Sequence, residues 1–170
     1  MIVAFTGMPG SGKSEAARIA HELGFKIFRM GDLVEAMARD KGLSVGEVAD
    51  SERKRYGNGI WAKRTLELLG GESAAIDGLR GRSELDVFRG GCELDFRLIA
   101  IWASPSTRRQ RLIRRRRDDM EELEKRDARE LSWGLGDSIA LADFMIINEG
   151  RLEDFKGEVA GLLSSLIGSA

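Results

Sequence analysis

Gly7-Met8-Pro9-Gly10-Ser11-Gly12-Lys13-Ser14 fills every fixed position of the pattern GxxxxGK[ST], and its setting is the one the pattern requires. The apolar run Ile2-Val3-Ala4-Phe5 precedes it, and a helix-like stretch from Glu15 to Leu23 follows. Glycines at these places let the backbone curl until successive N–H groups point at one centre, a shape that side chains would strain. Such a centre holds phosphate. Lys13 is placed to reach the β- and γ-phosphates of a nucleotide and Ser14 offers a hydroxyl to Mg²⁺, while the positive end of the following helix adds to the field. Gly7, Met8, Pro9, Gly10, Ser11, Gly12, Lys13 and Ser14 are therefore the first binding candidates.

The composition limits what this loop can belong to. A chain of 170 residues with 42% hydrophobic and 32% charged residues is expected to fold as one domain with a proper core, residues 1–170. No apolar run approaches the roughly 20 residues of a membrane span, and no basic stretch followed by an apolar segment opens the chain, so a cytoplasmic location with no membrane partner is expected. Cys92 and His21 are the sole members of their types, which excludes an intrachain disulfide and a Cys/His metal cage. A metal here has to be a hard ion held by oxygens, with Mg²⁺ brought by the nucleotide the natural choice. The net charge of −1 gives no global attraction to nucleic acid. Oligomeric state leaves no mark in the sequence.

Short β-like runs alternate with helical periods, the pattern of a parallel sheet wrapped by helices. The runs are Ile2 to Thr6, Lys26 to Phe28, Ala74 to Asp77, Leu98 to Ala103 and Phe144 to Asn148. Between the second and third, residues 31–69 read as two or three helices, with Ser44 as N-cap for Val45 to Tyr56. Asp77 closes the third run. A carboxylate at the end of a buried strand, beside the loop after strand one, can hold water on Mg²⁺ or orient reacting groups; the plainer alternative is a cap for the next turn. Arg80 follows on the same edge as a candidate clamp for an acceptor, since guanidinium forks match phosphate oxygens two at a time, or else as a solvated surface charge.

The phosphate loop, Met30-Gly31-Asp32-Leu33-Val34, Ile76-Asp77-Gly78-Leu79-Arg80, and Leu141 to Gly150 with its Ala-Asp-x-x-Ile-x-Asn-x-Gly ending resemble, in this order, the P-loop small-molecule kinases. The chain is most similar to the archaeal group described as dephospho-CoA-kinase-like or adenylate-kinase-related. The resemblance implies a five-stranded parallel α/β sheet in the order 2-3-1-4-5 with helices on both faces. It also implies a helical acceptor-binding flap at about 31–69 and an arginine-bearing lid after strand four, at about 114–135. One departure is chemical: adenylate kinases carry an arginine shortly after their Gly-Asp-Leu, and this chain has Glu35, which would repel a nucleoside monophosphate.

Against that background Asp32 reads either as a carboxylate that accepts a proton from, or orients, an attacking hydroxyl, or as the N-cap of a helix from Leu33. Arg108 to Arg117 begins just after Ser104-Pro105, where Pro105 suits the first turn of a helix. Arginines this dense can coat a solvated face, bind a nucleic-acid backbone or close over triphosphate. In the resembled lid, arginines neutralise the transferring phosphoryl group, and Arg111, Arg115, Arg126 and Arg129 are the candidates, with Arg129 on the acceptor. The alternating charges from Asp118 to Arg129 suggest a helix that moves rather than packs. Asn148 and Gly150 border the adenine in the resembled fold. Trp102 reads as core, and Trp133 as a candidate stacking surface.

The function expected is an ATP- and Mg²⁺-dependent phosphotransferase acting on a hydroxyl or phosphate of a small acceptor, such as a nucleotide or a dephospho-CoA-like metabolite. In that reading Lys13, Asp32, Asp77, Arg115 and Arg126 act on the reacting groups and Ser14 with Asp77 holds the metal. Asp32, Arg80 and Arg129 face the acceptor, and Arg111, Asn148 and Gly150 join the loop around ATP. The alternatives are an ATP-hydrolysing switch that docks RNA or a protein on its arginine run, and a nucleotide-binding protein without turnover.

Overall fold

The computed structural model describes residues 1–70, 72–92, 94–114 and 120–168. Five parallel strands, β1 (Ile2–Thr6), β2 (Lys26–Arg29), β3 (Ala74–Asp77), β4 (Phe96–Trp102) and β5 (Phe144–Ile147), form one sheet in the order β2-β3-β1-β4-β5. Nine helices occupy the described intervals. They are α1 (Lys13–Glu22), α2 (Met30–Lys41), α3 (Val45–Tyr56), α4 (Ile60–Leu69), α5 (Arg82–Gly91), α6 (Pro105–Arg114), α7 (Met120–Ser132), α8 (Leu135–Ala140) and α9 (Leu152–Gly168). The resemblance anticipated this sheet order.

Every residue of β1 is buried because helices cover both faces of a parallel sheet, so its side chains alternate between two cores. Ile2 and Ala4 join Met30, Val34, Trp61, Leu85 and Phe88 on the face covered by α2, α4 and α5. Val3 and Phe5 join Ala16, Ala17, Phe155, Val159 and Leu163 on the face covered by α1 and α9. Parallel register then brings the strand ends level: Phe5 pairs with Asp77, and Asp77 in turn with Arg29. Everything that leaves the carboxyl edge of β1, β2 and β3 therefore meets at one place, where open α/β sheets bind ligands.

Ser44 caps α3 as its sequence suggests, with its Oγ accepting from Glu47 N at 3.2 Å and Glu47 accepting from Ser44 N at 2.9 Å. Three expectations are corrected. Helix α2 starts at Met30 with Arg29 as N-cap, so Asp32 is not a cap but lies in the first turn. Trp102 is 40% exposed: it ends β4 beside Ile147 of the edge strand β5, where the sheet runs out of covering helices. And α7 packs, since Leu123 and Glu130 are buried and Asp127 pairs with a buried arginine of α6. Alternating charge hid the inward stripe, because two of the side chains that face in are carboxylates. No helix among the described residues is long and apolar enough to cross a membrane.

Candidate active site

The phosphate loop owes its shape to three glycines with positive φ: Gly7 at 144°, Gly10 at 82° and Gly12 at 118°. Two of them are also pressed by neighbours. A Cβ on Gly7 would lie 2.2 Å from the Ile101 carbonyl oxygen, and one on Gly12 would lie 2.4 Å from Asn148 Nδ2. Asn148 Nδ2 donates to the Ser11 carbonyl at 2.8 Å, which ties the loop after β5 to the loop after β1. Arg111 strengthens this tie by donating to Asn148 O at 2.9 Å and to its Oδ1 at 3.0 Å. Arg108, only 4% exposed, donates to Pro9 O at 3.0 Å and forks onto Asp127 at 2.6 and 3.0 Å. The loop is thus held from behind by two arginines of α6. The buried Ser11 Oγ has no hydrogen-bond partner among the described residues.

In front of the loop lies a cavity of about 420 Å³. Its floor is Gly7, Pro9, Gly10, Gly12, Lys13 and Ser14. Asp32 and Glu35 of α2 line one side together with Arg29, and Asp77, Gly78 and Arg80 close the end of β3. From α7, Arg126 and Glu130 form the far wall. Lys13 Nζ donates to Gly7 O at 2.7 Å and to Met8 O at 3.2 Å. Burial lowers the Lys13 pKa to about 8 against the opposing pull of Asp77 and Glu130, and Arg80 and Arg126 push it further down. Burial also raises the Asp77 carboxyl, with Lys13, Arg29 and Arg80 drawing it back. A lysine short of its usual basicity beside several cations is a site waiting for anionic charge.

Of the residues singled out from sequence, Gly7, Pro9, Gly10, Gly12, Lys13, Ser14, Asp32, Asp77, Arg80 and Arg126 share this cavity. Met8, Ser11, Arg111, Asn148, Gly150 and Arg129 do not line it. Ser11, Arg111 and Asn148 brace the loop instead, and Arg129 lies with its guanidinium 5.5 Å from the centre of the Trp133 ring. Arg115 lies outside the described residues. The indole of Trp133 is already attended by Arg53 at 5.0 Å and Arg80 at 5.3 Å.

Sequence reading passed over four side chains. Arg108 was lost among interchangeable neighbours. Glu130 sits at 3.2 Å from Arg80 Nε. Glu84, buried at the start of α5, accepts from Arg80 N at 2.8 Å and Gly81 N at 3.4 Å and so fixes the loop after β3; burial raises its pKa. Arg53 of α3 approaches that carboxylate at 3.4 Å. Only the Glu three residues after Gly81 carried a local signal, that of a helix start.

A hard cation suits these donors. Ser14 and Asp77 supply one hydroxyl and one carboxylate to the same cavity, and no cluster of three His, Cys, Asp or Glu among the described residues competes as a metal cage.

Fold and loop together define a P-loop protein built like the small-molecule kinases. Residues 6–127 match the family model described as an AAA domain. The chain is 43% identical over 173 residues to a UPF0200 protein of Thermoplasma acidophilum, covering 96% of this chain and 95% of that one. It is 40% identical over 178 residues to a UPF0200 protein of Methanothrix thermoacetophila, covering 97% of each. The chain belongs to the UPF0200 family. Among solved structures it is similar to a gluconokinase from Sinorhizobium meliloti (TM-score 0.67, 19% identity, 96% of this chain and 91% of that one). A shikimate kinase from Bacteroides thetaiotaomicron is also similar (TM-score 0.64, 13% identity, 99% and 98%). At such identities the likeness concerns the fold.

Proposed function

We propose that the protein is an ATP- and Mg²⁺-dependent phosphotransferase that phosphorylates a small acceptor. The observation that carries this reading is the convergence of Lys13, Ser14, Asp32, Asp77, Arg80 and Arg126 on one cavity, although they come from four separate segments of the chain. Loop amides and Lys13 bind the β- and γ-phosphates, while Ser14 and Asp77 hold Mg²⁺, which withdraws charge from the phosphate oxygens when bound. Asp32 faces the acceptor. Its carboxylate takes the proton of the attacking hydroxyl as the acceptor oxygen bonds to the γ-phosphorus and the bond from that phosphorus to the β–γ bridging oxygen breaks. The electron pair of the broken bond leaves with ADP. Arg126 and Arg80 offset charge spread over the phosphoryl oxygens during transfer.

The arginine run gives less support to nucleic-acid docking. Arg108 and Arg111 turn inward onto the loop, and Arg109 lies 3.7 Å from Glu124. An ATP-consumption screen over nucleoside monophosphates, dephospho-CoA and other metabolite alcohols, with RNA as competitor, tests the reading. The expected result is stoichiometric phosphorylated product in wild type and none in Lys13→Ala. Turnover retained in that variant overturns it.

A further inference from the structure

A second cavity, of about 270 Å³, adjoins the first and shares Arg80 with it. Arg53, Asn58, Ser83 and Trp133 line it from α3, the turn after α3, α5 and the end of α7. A gap of about 10 Å³ shares Gly31, Gly78 and Arg80 with the first cavity and Arg53, Arg80 and Glu84 with the second, and Trp61 borders it too. Two buried donors here have no acceptor among the described residues: Nη1 of Arg53 and Nε1 of Trp61. Trp61 is only 1% exposed and the Arg53 side chain 12%. A buried donor left unmade is costly, and a gap of about 10 Å³ admits about one water to meet these two N–H groups.

Charge divides the acceptor side into two ends. Asp32, Glu35 and Asp77 line the cavity beside the phosphate loop together with the cations Lys13, Arg29, Arg80 and Arg126; once nucleotide phosphates engage Lys13 and Arg126, the three carboxylates disfavour a further anion beside them. Around Trp133 the balance reverses. Arg53, Arg80 and Arg129 all lie within 5.5 Å of its ring, and the carboxylates among them are already engaged: Glu84 by Arg53 and two backbone N–H groups, Glu130 by Arg80. The three guanidiniums exceed the two carboxylates.

We propose that the acceptor is a hydroxylated anion. Its hydroxyl lies at Asp32, and a carboxylate or phosphate elsewhere on the same molecule is received in the second cavity by Arg53 and Arg80. Arg53 is thus a specificity-determining residue of the phosphotransferase proposed above, and the inference rests on that reading. It narrows the acceptor to small acids bearing an alcohol and separates it from nucleoside monophosphates whose own phosphate is phosphorylated, since that phosphate would have to enter among Asp32, Glu35 and Asp77.

Calorimetry with inorganic phosphate as the probe tests it, on protein already saturated with Mg²⁺ and a non-hydrolysable ATP analogue so that the phosphate loop is filled. One saturable phosphate per chain is expected. Arg53→Lys keeps a cation beside Glu84 but loses the planar fork, and it is expected to weaken phosphate about tenfold or more with analogue affinity unchanged. Absence of saturable phosphate binding to the loaded protein, or wild-type affinity in Arg53→Lys, overturns the inference and leaves the phosphotransferase standing. Failure of the analogue itself to bind overturns both.

Discussion

The two sides of the site treat their arginines differently. Behind the phosphate loop, Arg108 and Arg111 of α6 spend their donors on Pro9, Ser11, Asp127 and Asn148 and act as fixed braces. On the side proposed for the acceptor, Arg53 keeps a buried N–H without a partner among the described residues and shares an indole with two other guanidiniums. The same side chain therefore serves as scaffold where its valences are closed and as recognition where one stays open. Cost explains the division: the loop needs a rigid backbone before the nucleotide arrives, whereas selectivity comes from donors that only the right ligand can satisfy.

The sharpest way to break this contrast is at the floor of the site. Lys13→Met is expected to cut phosphoryl transfer by about 1,000-fold or more, as loss of a preorganised cation at developing charge does, while the melting temperature at pH 7 does not fall. The steady-state rate and thermal unfolding of the variant check this. Asp32→Asn is expected to lower kcat by about 100-fold, the scale of a lost general base, with nucleotide affinity preserved. A fall in affinity with kcat intact would move Asp32 from chemistry to binding.

Arg108→Met tests the scaffold side. It strands the partly buried Asp127 and is expected to cost about 2–3 kcal/mol in chemical denaturation, less than for a fully buried pair because Asp127 retains some contact with water. Residual turnover at low temperature should stay near wild type. If instead kcat collapses in a stably folded variant, the contrast between brace and recognition fails.

Lys13 gives a pH test. Its pKa of about 8 lies below the ordinary 10.5, so between these values the folded chain binds fewer protons than the unfolded chain. Stability contributed by this group therefore rises with pH across that window, by at most about 1.4 kcal/mol per pH unit, and the penalty is fully present below pH 8. Nucleotide phosphates favour charged Lys13, so ATP affinity should fall above pH 8, by up to about tenfold per pH unit. Denaturation curves of wild type minus Lys13→Met, and nucleotide titrations from pH 7 to 9.5, read both. The smallest effect expected is Ser44→Ala, which removes the α3 cap far from the phosphate loop at about 1 kcal/mol of stability without changing ATP affinity.

Which parts were legible in the sequence follows from how local the chemistry is. Eight consecutive residues hold the phosphate loop, and β1 before it is readable as a short apolar run, so loop and first strand need no tertiary information. Asp77 and Arg80 were found because a strand end in a parallel sheet fixes where they emerge. Arg108 escaped because its partners, Pro9 and Asp127, are 99 and 19 residues away and nothing in a run of arginines says which one turns inward. Arg53 and Glu84, separated by 31 residues, meet only after α3 and α5 have packed. Trp102 was misjudged for a related reason: strand membership is local, but the uncovered edge that exposes it depends on which helices pack over β5.

One guanidinium bordering two chambers makes their occupancies interdependent. Arg80 lines both the phosphate cavity and its neighbour, so whatever first draws that cation toward itself resets the field met by the second arrival. Thermodynamic reciprocity then obliges the two ligands to alter each other's affinity by one common factor, whichever enters first.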